Sequence, residues 1–319
     1  MKENKVLVVG GVGYCGGFLV DLLRLKGMDV IVYDNLLYEE RYLKDCDFVF
    51  GDVRETEKIL SLVKERRIDT VVWLAAIVGD GACNVDQTLT QEINFLSFKR
   101  FVDGCEKSIQ IIFPSSCSVY GMNKEILNEQ SEVNPLSLYA ATKYEAEKYL
   151  RENHENSLVF RLGTLFGVGD AFSRLRFDLV ANILTLRASF GKELTVFGGD
   201  QWRPLLHVKD VARAIYFGIV RNQKGLYNLS WKNYRICDVA TEIVETVGRG
   251  SINLVEIQFE DLRDYRVDSR EYTIDSGFEP IYGLTLGIQE IFNLVEQNRI
   301  KNPFDRIYNN EKFMKEIHG

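Results

Sequence analysis

The sequence predicts an α/β fold, a doubly wound parallel sheet with a smaller C-terminal α/β layer. Three observations predict it. Short apolar runs alternate with amphipathic helical stretches through the first half. A glycine-rich turn joins the first run to the first helix. The 319 residues are 46% apolar and 27% charged, which suits a globular chain with a substantial core.

The runs cover residues 6–9, 30–33, 48–50, 70–74, 109–113 and 157–160. They are continuous and rich in β-branched residues, as strands buried on both faces are. Between them, 18–26, 56–66 and 90–105 have helical spacing. After residue 165 the alternation loosens, with glycines in GVGD (167–170) and FGGD (197–200). Helices are expected near 172–189, 208–221, 236–247 and 284–298, followed by a charged tail, 299–319, expected to be partly mobile.

The net charge of −7 argues against nucleic acid or an anionic membrane as partner. Six scattered cysteines without a CxxC pair suit a reducing compartment, and with only three histidines no metal site is expected. The N-terminal segment MKENKVLVVGG has no long apolar stretch, so a cytoplasmic location is expected.

VLVVGGVGYCGGFLVDLL joins the first strand to the first helix. Gly10, Gly13 and Gly16 form GxxGxxG, and Gly11, Gly13 and Gly16 form GxGxxG. Either set lets the turn tighten and the backbone approach a diphosphate, with the helix N-terminus facing the anion. The next strand ends in Val-Tyr-Asp. The Asp34 carboxylate would accept from a ribose diol and repel a 2′-phosphate, which favours NAD over NADP. In GDVR (51–54), Asp52 is within reach of an adenine from the third strand's loop, or acts as an ordinary helix cap.

Tyr139 and Lys143 in PLSLYAATKYEAE are four apart, on one helical face. A phenol of pKa about 10 is a poor base at neutral pH, and a neighbouring ammonium favours its ionised form. Such a tyrosine takes a proton from an alcohol while hydride leaves carbon, or returns it to a ketone. SSCSVYG (115–121) precedes this helix and offers Ser116, Cys117 and Ser118. A Cys117 nucleophile needs a histidine partner, and only His207 is conceivable.

These motifs together resemble the extended short-chain dehydrogenase/reductase family, in its NAD-dependent nucleotide-sugar epimerase/dehydratase group. GGVGYCG, Asp34, GDV, WLAA (73–76), SSCSVYG, PLSLYAATK and RPLLHVKDVARA (203–214) occur in that group's order and spacing. The resemblance implies a Rossmann domain over 1–165, to which segments near 200–230 return. Residues 166–319 would mainly bind the nucleotide sugar. It implies a catalytic triad of Ser116, Tyr139 and Lys143, the serine aligning the sugar hydroxyl with the tyrosine. NAD would meet Gly10, Gly13, Tyr14, Cys15, Gly16, Asp34, Asn35, Asp52, Val53, Leu74, Ala75, Ala76, Asn94, Tyr139 and Lys143. The substrate would meet Ser116, Ser118, Thr164, Asn182, Arg203 and Arg263, with Arg203 at the diphosphate and Arg263 or Arg266 as a second contact. A homodimer through helices near 90–105 and 137–152 is also implied.

The departures from the pattern bear on the reaction. Thr164 stands where many members have asparagine, and Trp73 replaces a histidine. Dehydratases of the group carry Asp-Glu at the positions of Cys117 and Ser118. A branch that epimerises carbons beside the ketone has its cysteine at the position of Ser118, one residue after Cys117, and strand side chains alternate faces. The expected function is therefore oxidation of a sugar hydroxyl, at C4, by a 4-dehydrogenase or 4-epimerase. Reduction of a 4-keto sugar is the nearest alternative, a 4,6-dehydratase stands further off, and a non-catalytic nucleotide-binding protein is a remote one.

Overall fold

The computed structural model describes residues 4–39, 42–170, 174–256, 263–300 and 302–318. Strands and helices alternate from the start: β1 (Lys5–Val9), α1 (Gly16–Leu25), β2 (Asp29–Asp34), β3 (Asp47–Phe50), α2 (Thr56–Arg66), β4 (Thr70–Trp73), α3 (Asp80–Val85), α4 (Gln87–Gln91), α5 (Ser97–Gly104), β5 (Gln110–Ser116), β6 (Met122–Leu127), α6 (Leu138–Asn153) and β7 (Ser157–Leu162). Then follow β8 (Thr164–Phe166), α7 (Val180–Ser189), β9 (Leu194–Phe197), β10 (Trp202–His207), α8 (Val208–Val220), β11 (Gly225–Leu229), β12 (Lys232–Arg235), α9 (Ile236–Val247), β13 (Ile252–Val255), β14 (Asp264–Val267), α10 (Arg270–Ser276), α11 (Leu284–Glu296) and α12 (Asn310–His318).

Seven strands form a parallel sheet in the order β11-β7-β5-β4-β1-β2-β3. The six apolar runs fall on six of these strands. Successive residues of β1 face opposite layers, as the two-residue period requires. Leu7 and Val9 pack with α2, α5 and α6, whereas Val6 and Val8 pack with α1 and α8. Both faces are thus covered, which is why these strands read as continuous apolar runs. The strand order turns round at β1: β2 and β3 lie to one side, β4 and β5 to the other. Such a reversal opens a crevice beyond the C-terminal ends of the strands. Three small sheets, β12-β10-β8, β13-β9 and β14-β6, lie outside the large one.

The structure differs from the sequence reading in three places. The 90–105 helix is interrupted by a π-helical turn, Glu92–Leu96. The helix expected from 172 begins only at Val180, and positions 172 and 173 lie outside the described residues. Arg174 and Arg176 just before it are drawn into side-chain bonds with Asn310 and Asp178, which hold the backbone in an irregular path. The charged tail expected to be mobile instead ends in α12. Met314 is fully buried there and α12 packs along α3. Among the described residues no helix is long and apolar enough to cross a membrane.

Candidate active site

The crevice encloses about 700 Å³, its open mouth included, and is lined by the glycine turn, Asp34, Asn35 and the chain following β4. The turn is built by steric need at two points. Gly10 has φ +80°, and a Cβ on it would come within 2.5 Å of the Ala75 nitrogen. At Gly16 a Cβ would collide with the Gly11 backbone. Gly13 differs: a Cβ there would meet nothing of the protein closer than 3.5 Å. Its bareness serves whatever enters the crevice. The α1 N-terminus has no side-chain cap and no acid in its first turn, so it presents its amide dipoles to an anion. Tyr14 is anchored by its hydroxyl, which donates to the Gly167 carbonyl at 2.6 Å, while Cys15 precedes α1 and burial pushes its thiol up to about 11.

Asp34, at the end of β2, accepts from the N–H groups of Val12 (3.0 Å) and Leu36 (2.8 Å). Burial raises its pKa, and these backbone donors oppose the rise. Asn35 donates to Asp52 at 3.2 Å. Asp52 is held below the usual range by the Arg54 guanidinium, which grips both its oxygens. Val53 beside it belongs to the core. On the other side, the N–H groups of Leu74 and Ala75 both donate to the Val9 carbonyl, bending the chain away from β4. Asn94, in the π-helical turn, accepts from the Ile77 N–H (2.8 Å) and donates to the Ile77 carbonyl (2.9 Å). It therefore braces the crevice floor. Together the bare turn, the uncapped helix and the carboxylate fit a dinucleotide.

Ser116 ends β5. Its oxygen accepts from the Ser118 N–H (3.1 Å) and hydroxyl (2.8 Å), which leaves its own proton to give. Tyr139 and Lys143 lie on consecutive turns of α6. Burial raises the Tyr139 phenol, the charge of Cys83 adds to that, and Arg176 and hydrogen bonding with Ser116 oppose it. Burial draws Lys143 down to about 7, against the pull of Glu147, and its ammonium sits 3.9 Å from the centroid of the Phe113 ring. Thus burial, not the neighbouring ammonium, is the largest influence on the tyrosine. Cys117 faces away. Its thiol donates to the Arg161 carbonyl at 3.1 Å, is fully buried among Val119, Tyr120 and Tyr265, and is pushed up by burial. His207 is far from a partner role for it, since its ring pairs with Glu290 at 2.9 Å.

Among the expected substrate residues, Arg203 is buried on β10 and donates to the carbonyls of Trp202 (2.8 Å) and Arg263. Arg263 pairs with Asp80 at 3.3 Å. Thr164 is half-buried at the start of β8, beside Leu205. The Asn182 amide is fully engaged by the backbone of Gly167 and Arg176. Sequence reasoning passed over Asp80, whose Oδ1 is buried without a partner among the described residues and whose charge acts on Tyr139 and Cys83. It also passed over Arg174, Arg176, Tyr38 and Asn310. An acid directly after LAAIVG was the one visible signal. The others become neighbours only through the fold.

The fold and this turn define a dinucleotide-binding protein of the doubly wound class. Residues 6–230 match the NAD dependent epimerase/dehydratase family, and the chain belongs to that family. It is 27% identical over 273 residues to an ADP-L-glycero-D-manno-heptose-6-epimerase of Brachyspira hyodysenteriae, covering 78% of this chain and 83% of that one. It is 29% identical over 214 residues to a UDP-glucose 4-epimerase of Lactobacillus helveticus, covering 61% and 64%. Among solved structures it is similar to MoeE5 in complex with UDP-glucuronic acid and NAD, at 25% identity and a TM-score of 0.79 over 92% of this chain and all of that one. The UDP-glucose 4-epimerase of Thermus thermophilus, in complex with NAD, shares the fold at 24% identity and a TM-score of 0.76, covering 91% and 98%.

Proposed function

We propose that the chain is an NAD-dependent nucleotide-sugar 4-epimerase, oxidising a sugar hydroxyl at C4 and reducing the ketone again from its other face. What supports this reading is the hydrogen bonding of Tyr139 with Ser116, with Lys143 one turn on along α6. Ser116, with its oxygen committed to Ser118, donates its proton to the sugar oxygen and aligns it. Tyr139 takes the hydroxyl proton in oxidation and returns it in reduction. When bound, NAD supplies the hydride acceptor and a positive ring that favours the phenolate. Lys143 steadies the phenolate charge and the cofactor ribose. Arg203 and Arg263 hold the diphosphate, with Asp80 near the sugar. Residues 166–319 mainly grip the nucleotide sugar, and two copies pair through α5 and α6.

No further acid is demanded by this chemistry, which agrees with the buried Cys117, its thiol bonded to the Arg161 carbonyl, and the neutral Ser118. That disfavours 4,6-dehydration. The relatives named as epimerases support returning the hydride rather than releasing a ketone. The test is to incubate the protein with glucose linked to UDP, dTDP, GDP, CDP or ADP. Proton NMR would follow the C4 epimer and ultraviolet absorbance would follow NADH. Epimer formation without net absorbance change is expected. Stoichiometric NADH accumulation would make the enzyme a 4-dehydrogenase, and turnover only of a 4-keto sugar with a reduced cofactor would make it a reductase.

A further inference from the structure

The crevice lining contains a buried cation whose hydrogen-bond partners among the described residues are all neutral. Arg174 lines the crevice alongside Asp34, Asn35 and Tyr38. Its guanidinium lies 3.6 Å from the centroid of the Tyr38 ring. Nη1 donates to Asn310 Oδ1 at 2.6 Å, and Nε and Nη2 donate to the Ile307 carbonyl at 3.3 and 2.9 Å. The residue is 4% exposed, and burial pulls its pKa down to about 10. The charges of Asp178 and Glu39 oppose that fall without outweighing burial, and a desolvated cation hydrogen-bonded only to neutral groups gains from an anion that meets it. Asp178 makes no direct bond to it, being gripped through both oxygens by Arg176 at 2.9 Å. The Tyr38 hydroxyl in the same wall is also buried without a partner among the described residues.

Asn310, the first residue of α12, fixes this arrangement. It is 3% exposed, and its side chain is engaged at both ends. Besides accepting from Arg174, its amide donates to the Val78 carbonyl at 2.7 Å, and its backbone N–H donates to Asp178 at 3.0 Å. Val78 follows Ile77 of the crevice lining. Phe313, one turn along α12, packs on Tyr38 with ring centroids 4.8 Å apart. The C-terminal helix therefore ties together the post-β4 chain, the 174–178 segment and Tyr38.

We propose that Arg174 binds the diphosphate of NAD from the side opposite the α1 N-terminus, and that Asn310 positions it, so that α12 governs how tightly the cofactor is held. Guanidinium suits the task because its planar fork of donors matches phosphate oxygens. The glycine turn supplies backbone amides on one side, and Arg174 supplies the full positive charge on the other.

Isothermal titration of the cofactor-stripped full chain with NAD and with ADP-ribose tests this. Arg174→Met should weaken both ligands about tenfold to hundredfold, the range for a hydrogen-bonded charge. Arg174→Lys should recover part of the loss, and it carries the test should the methionine variant fail to fold. Asn310→Ala should cost less than Arg174→Met, and the double variant should bind no more weakly than Arg174→Met alone, because Asn310 acts through Arg174. Wild-type affinity in Arg174→Met would overturn the assignment. Losses that multiply in the double variant would overturn the positioning role of Asn310.

Discussion

One wall of the crevice is a single stretch of chain, Gly10 to Gly16, with residues at the ends of β2 and β4. A second wall takes Tyr38 from near one end of the chain and Arg174 from its middle, with Asn310, the first residue of the last helix, bonded to Arg174. The first wall works by backbone amides and by side chains it does not have. The second works by buried polar side chains, each needing a partner more than a hundred residues away. A wall made of backbone resists substitution everywhere except at its glycines. A wall made of buried charge depends on every member, since removing one partner strands the other. Both should act on cofactor affinity, and chemistry should lie apart from them. Residues of α6 and β5 should control turnover, and the two walls should control cofactor binding.

The largest effect is expected on the chemical side. Tyr139→Phe removes the proposed proton acceptor while keeping the ring and its packing. Turnover should fall by about a hundredfold to ten-thousandfold, with NAD affinity by titration within about threefold of wild type, since no charged cofactor contact is lost. Wild-type-like turnover would remove Tyr139 from the mechanism. A large loss of NAD affinity would show that chemistry and cofactor binding are not divided as described.

Lys143 sharpens the comparison because it is a buried charge on the motif-built side. Its folded pKa of about 7 lies below the unfolded value of about 10.4. Between the two, the unfolded chain holds a proton that the folded chain has released. Stability therefore rises with pH across that window, and the full cost of the buried ammonium is felt below it. Lys143→Met should abolish most activity yet raise the melting temperature by several degrees near pH 6. The gain should shrink as pH approaches 10. A gain that is the same at both pH values, or absent at pH 6, would show that the lysine is not held against its solvation preference.

The difference between the walls also explains what the sequence revealed. The strands of the large sheet were legible because burial on both faces makes them continuous apolar runs, and Gly10, Asp34, Tyr139 and Lys143 because each sits at a fixed offset within one element. Asn94 could be expected on the helix after β4, although the π-helical turn that aims it could not, since a single inserted residue leaves no change in periodicity. Arg174 and Asn310 belong to no motif in the sequence and were passed over. Only the packing of α12 along α3 buries them together, and that packing is non-local. The charged tail was misread for the same reason: its apolar face, Phe313 and Met314, is two residues in a polar setting until the site it covers is known.

Cys117 should give the smallest effect on activity, and its position shows why. It lies in the most suggestive motif of the chain, between Ser116 and Ser118, yet β5 ends at Ser116 and Cys117 opens a 3-10 turn, Cys117–Tyr120. The strand alternation expected from the sequence therefore does not apply, and it is this turn that aims the thiol at the Arg161 carbonyl. In that turn it fills a fully buried space and donates to the Arg161 carbonyl, beside the buried Arg161–Glu147 pair (2.6 Å). Cys117→Ala deletes a buried group without touching the proton path. It should cost about 1 to 2 kcal/mol of stability by denaturant unfolding, as a small cavity in a packed cluster does, and leave kcat within about threefold, because Ser116 and Tyr139 keep their partners. A folded variant without turnover would mean that the thiol takes part in the reaction. A variant as stable as wild type would mean that the cluster around Tyr120 and Tyr265 closes over the gap.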